Sequence, residues 1–292
     1  MKTSFYRFKT GLYTAVQSFS LAWSHKELFA YALCASGFSF LVTVGLYNLL
    51  NISYPNEISV SHLLKEALCA INPSCSQELG NTIILALTSF IVLAITNFFW
   101  VAMFHHAGHI LAGEKRSFFE SISNIGPKIP LILAWAAIAL CIEQLTIMIN
   151  RFSSKTLAFV SLLLFFSVHF ITFFILPVIA YTNKNVKGVI ILSFTVAKNR
   201  FIEILGGGTW FTIIAGLFFI PMALFWEYWH MTDLSAPWFK NGIVLLMALV
   251  AQLGIRIFIG TSFALFKGLI YSDYHRKNPP LEELYKFPWP QM

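Results

Sequence analysis

Charge is what this sequence has least of. Only 11% of its residues are Asp, Glu, Lys or Arg, and of its 13 acidic residues just Asp233 and Asp273 are aspartates. That leaves too little polar surface to face water over 292 residues, which excludes an ordinary soluble domain. Strict alternation of polar and apolar residues is also missing, so a porin-type barrel is excluded. The first 24 residues lack a continuous apolar core and a small-residue cleavage site, so no cleavable signal peptide is expected. Gly206 to Gly208 form the only glycine run, and they carry neither the GxxxxGK[ST] signature nor a preceding strand, so they do not make a nucleotide loop.

Apolar residues fill the space that charge leaves. The chain is 57% hydrophobic, holds 30 Phe and has a mean hydropathy of +0.70. Six apolar runs of about 20 residues match the length an α-helix needs to cross a bilayer. They lie near 28–49, 82–104, 129–149, 157–181, 205–226 and 242–270. The expected fold is therefore an all-α bundle of six transmembrane helices forming one integral membrane domain over 1–292, with the lipid bilayer as its medium. Lys and Arg concentrate in 2–26, 115–128, 184–200 and 267–286, whereas the alternate segments carry only Lys65, Arg151, Lys155 and Lys240. Positive residues are retained in the cytoplasm. Both termini are thus expected inside, at the cytoplasmic membrane. The net charge of +7 reads as topology and attraction to anionic headgroups, and no nucleic-acid partner is needed to explain it.

Outside the spans, an external loop over 50–81 holds Cys69 and Cys75 around an Asn-Pro-Ser turn. These two form either a disulfide or a pair of free thiols. A Pro-rich cytoplasmic tail follows from 271 to 292. Ahead of the first span, an interfacial helix over 4–24 aligns Phe5, Phe8, Leu12, Val16, Phe19 and Trp23 at steps of three and four. Val186, Ile190, Phe194, Ala197, Phe201 and Leu205 repeat that spacing before the fifth span, and Phe118, Ile122, Ile125 and Ile129 repeat it before the third. "SFSLAWSH" from Ser18 and "SFTVAKNR" from Ser193 also share letters, which points to an internal duplication. The amphipathic segments are expected to act as collars on the bundle.

The segments "FFILPVIAYTNKNVKGVIILSFTVAKNRFIEILGGG", "QSFSLAWSHKELFAYAL" and "NFFWVAMFHHAGHILAGEKRSFFESI" cover these repeated units. Their layout resembles that of a family of bacterial and archaeal six-span membrane proteins defined only as a domain of unknown function. The resemblance implies the fold and a cytoplasmic-membrane address, and it carries no activity and no site residues.

Within the spans a few polar residues stand out. Arg256 lies roughly 21 Å along the sixth span from its outer end, where facing lipid costs about 2.5 to 3.5 kcal/mol. Glu143 is the acid placed well inside a span and is its expected partner. His169, Asn97 and Gln252 lie at nearby depths, so four helices are expected to contribute to one buried polar cluster, either a structural ion pair or a substrate or proton route. His105, His106 and His109 gather at the inner end of the second span. Two His at i and i+4 are able to chelate a metal, but carboxylates are scarce nearby and headgroup-level histidines explain the cluster better. No metal or cofactor is expected. The functional expectation is a non-enzymatic scaffold or accessory subunit that contacts other membrane proteins or itself. Alternatives are a small transporter or channel around Arg256 and, more distantly, a membrane metalloenzyme.

Overall fold

The computed structural model describes residues 2–51, 77–151, 167–231 and 238–277. Cys69 and Cys75 lie outside the described residues. The regular elements are α1 (Lys2–Ser24), α2 (Leu28–Asn51), α3 (Gln77–Leu111), α4 (Phe118–Ser123), a 3-10 turn (Gly126–Lys128), α5 (Ile129–Arg151), α6 (Ile175–Tyr181), α7 (Val186–Asn199), α8 (Phe201–Met231) and α9 (Trp238–Lys277). The protein is an all-α polytopic bundle. Five helical stretches among the described residues are long and apolar enough to span a membrane, rather than six: Leu28–Leu46, Leu85–Leu111, Phe118–Thr146, Phe201–Leu224 and Leu246–Arg276. α9 stays helical to Lys277, so the expected tail over 271–292 begins as a continuation of this helix.

The expected fourth span, 157–181, is described from Ser167 onward, and there it is a short apolar helix, Ser167–Tyr181. It breaks at Phe173 and Phe174. Pro177 causes this, since it has no N–H to offer the carbonyl four residues back and its ring crowds that turn. Ser193 of α7 repairs the gap. Its buried hydroxyl accepts from the Phe174 amide at 3.2 Å and donates to the Ile171 carbonyl at 2.6 Å. Pro221, by contrast, sits within an unbroken α8.

The amphipathic helices are built into the bundle, and each buries a narrow strip of mostly small residues beside its large apolar stripe. α1 lies against α8 and α9. It buries Gly11, Ala15, Ser18 and Ala22, while Phe5, Val16 and Trp23 of the large apolar stripe are exposed. α7 likewise buries Val189, Ser193 and Val196 and exposes Phe194. Small residues win the protein-facing side because they let backbones touch. A Cβ on Gly11 would fall on the Glu203 carbonyl, and one on Gly206 would fall on the Phe8 carbonyl. Gly207 is filled by the Phe266 ring, whereas Gly208 has open space around it.

Packing differs sharply between the two ends. Tyr31, Met103, Phe104, Phe174, Ile179, Leu265, Phe266 and Tyr271 form a dense core at the end that carries α1, α4 and α7. We call this the closed end. Among the described residues, nothing is buried beyond Ala35 in α2, before Asn97 in α3, beyond Ala136 in α5, beyond Phe211 in α8 or before Thr261 in α9. The other half is the open end.

Candidate functional site

The polar residues expected to converge divide between two grooves that share α3. Arg256 is exposed and faces a groove of about 320 Å³ between α2, α3 and α9. Ser36, Ser39, Thr96 and Trp100 line it, with the Ser39 and Thr96 hydroxyls 3.2 Å apart. No hydrogen bond or ion pair reaches the Arg256 guanidinium among the described residues. Glu143 and His169 share a second cavity of about 460 Å³ with Trp135, Thr146 and Thr172. Both are exposed there. Arg256 and Glu143 therefore do not pair within the chain. α5 packs on α3, while α9 packs on α1, α8, α2 and α3, which leaves the two charges on separate flanks. Asn97 is buried on α3, and its side-chain amide nitrogen finds no acceptor among the described residues. Gln252 is half-buried and lines neither groove.

The histidines are packed inside the closed end, where α3 is the central helix. His106 and His109 are buried. His106 Nδ1 lies 2.8 Å from the Tyr31 hydroxyl and 3.1 Å from that of Ser121, so it ties α3 to α2 and α4. His109 Nδ1 meets the Glu114 carboxylate at 2.6 Å, and the His105 ring lies 4.7 Å from that of His109. Among the described residues, no three His, Cys, Asp or Glu side chains stand close enough to hold one metal ion.

An ionic cluster that the sequence did not point to fastens the closed end. Glu203, 4% exposed, accepts from Arg7 Nε and Nη2, both at 2.9 Å, and from Arg200 Nη1 at 3.3 Å. Arg7 Nη2 also donates to the Asn199 carbonyl. Arg200 continues to Asp273 at 2.8 Å, and Asp273 to Arg276 at 3.2 Å. Helices from the first, middle and last parts of the chain are thus clasped at one level. The legible signal was a lone acid opening an apolar run, in "FIEILGGG". Nearby, Lys128 Nζ donates to the carbonyls of Ile179 and Ala180 at 2.7 Å and of Thr182 at 2.9 Å. These are carbonyls at the C-terminal end of α6, where a cation is favoured. Lys267 lies 4.6 Å and 4.7 Å from the ring centres of Phe173 and Phe263, a cation held by aromatic faces.

The chain matches no family model, no curated protein and no solved structure.

Proposed function

We propose that this multi-pass membrane protein is a non-enzymatic scaffold or accessory subunit of the cytoplasmic membrane, with its closed end inside and its open half completed by the transmembrane helices of other chains. One observation carries the reading: the helices are packed and ion-clasped at one end, and bury no side chain of the open half among the described residues. A bundle designed to stand alone gains dispersion and hydrogen-bond energy by packing its inner faces along their whole length. This one leaves Leu145, Leu217, Ile220 and Leu224 exposed. The titratable groups that meet do so in structural pairs, His106 with Tyr31 and Ser121, and His109 with Glu114. That supports a role without chemistry. Transport finds less support, because Arg256 and the Glu143–His169 pair face separate grooves instead of one continuous path. The concentration of Lys and Arg in segments at the closed end supports the orientation.

Site-specific photo-crosslinking in the native membrane tests this. A photoreactive residue at Leu217, Ile220 or Leu224 is expected to give discrete adducts with a polypeptide, while one at buried Phe266 gives only intramolecular products. Lipid adducts alone at all three open-half positions, together with a monomer that supports solute flux in liposomes, would overturn the scaffold reading in favour of transport.

A further inference from the structure

The Arg256 groove has a chemistry of its own, whether or not a partner chain covers the open half. Asp273 marks the level of the ionic clasp, and Arg256 lies 17 residues earlier on the continuous helix α9, so it stands about 25 Å farther along the axis. A hydrocarbon core is roughly 30 Å thick and α9 runs another 18 residues past Arg256 to Trp238, so Arg256 stands within the core, well toward the open end from the clasp. From there a long basic side chain gains by reaching toward the headgroups of the open-end leaflet. Its walls are otherwise mostly apolar, with Ala32, Ala35, Val92 and Ile257, and Ala32 and Ala35 adjoin the dense core of the closed end. Besides the guanidinium, the hydroxyls of Ser36, Ser39 and Thr96 and the Trp100 indole are the polar groups among its described lining residues.

We infer that this groove binds one phospholipid from the open-end leaflet, its phosphate on Arg256 and an acyl chain along the walls toward the closed end. Charge complementarity selects the occupant. A guanidinium in this position must be neutralised, and Glu143 lies on another flank. Phosphate matches the planar donor fork of Arg bidentately. It is also the anion that a bilayer supplies at the end of an apolar chain. The ester oxygens next to the phosphate fall within the reach of hydroxyl donors such as Ser39 and Thr96.

Purified protein in mild detergent, analysed by native mass spectrometry during graded delipidation, tests the site. One phospholipid is expected to persist on the wild-type chain. Arg256→Gln should reduce its retention at least tenfold, and Arg256→Lys should fall between. Gly260→Leu is the second variant, since a Cβ at Gly260 meets only the Trp100 ring edge at 4.0 Å and a larger side chain would fill the groove without touching the charge. It should displace the lipid while the melting temperature in lipid-free detergent holds. Diacylglycerol with the same chains should compete poorly, and inorganic phosphate should not compete, which separates a lipid from a free anion. Equal retention by Arg256→Gln, or equal competition by diacylglycerol, overturns the proposal. A photoreactive residue at Leu253 that yields a polypeptide adduct in place of a lipid adduct assigns the groove to a partner helix and overturns it as well.

Discussion

At the scale of single residues, the three consecutive glycines are chemically identical and structurally unlike. Gly206 gives its missing Cβ to the Phe8 carbonyl and Gly207 to the Phe266 ring, while Gly208 faces open space. Gly206→Ala is therefore expected to push α1 off α8 and to cost about 1 to 3 kcal/mol, the usual price of overpacking. Gly208→Ala introduces no clash and removes backbone freedom from the unfolded chain, so it should stabilise by about 0.5 to 1 kcal/mol. Thermal unfolding in detergent, followed by near-UV circular dichroism, distinguishes them by opposite shifts in midpoint. Equal shifts would mean that α1 yields to a methyl group without loss, and that the close crossing at Gly11 and Gly206 is not what seats it.

At the scale of elements, the buried serine of each amphipathic helix has acquired a different task. Ser18 Oγ donates to Ala15 O within its own helix at 2.7 Å, Ser121 meets His106, and Ser193 bridges the break at Phe174. Ser193→Ala leaves a buried amide and a part-buried carbonyl without this partner and should cost about 1 to 3 kcal/mol. Ser18→Ala removes only a back-bond to an already helical carbonyl, so its cost should be under about 1 kcal/mol. Hydrogen exchange at the Phe174 amide gives the sharper test, since Ser193→Ala should accelerate it and Ser18→Ala should not. The letters shared by "SFSLAW" and "SFTVAK" revealed the serine but not its partner, because the break it repairs is created by Pro177 in another helix. Run length alone located five of the six expected spans, since hydrocarbon thickness sets it directly. Three-and-four spacing located α1 and α7 but did not say which residues meet protein: Phe5, Val16, Trp23 and Phe194 of the apolar stripes are exposed, Phe19 and Ala197 pack inward, and Gly11, Ala15, Ser18 and Ser193 beside them are buried. The separation of Arg256 from Glu143 was illegible for a related reason. Depth follows from counting residues, whereas which helices are neighbours follows from packing that no single segment encodes.

At the scale of the whole molecule, the two ends of the bundle are held by different forces, and Glu203 shows the difference. Among the described residues its carboxylate alone joins Arg7 of α1 to Arg200 between α7 and α8, and through Arg200 to Asp273 of α9. Glu203→Gln leaves two guanidinium groups beside a polar side chain that no longer carries charge. Loss of one partner of a buried pair costs several kcal/mol, but Arg7 is 40% exposed and solvent relieves part of that, so about 2 kcal/mol is expected. The damage should be local. Trypsin should cut faster at Arg7 and Lys9 as α1 lifts away, while lipid retention at the Arg256 groove, about 25 Å along α9, should not change. Arg7→Lys should fall between, because an ammonium keeps the charge and loses the two-pronged contact. If Glu203→Gln leaves trypsin cleavage unaltered, then the glycine crossing holds α1 without electrostatic help, and the closed end owes its rigidity to backbone contact alone. If it also strips lipid from the groove, the two ends are coupled through α9, and the open half is set by the clasp rather than by its surroundings.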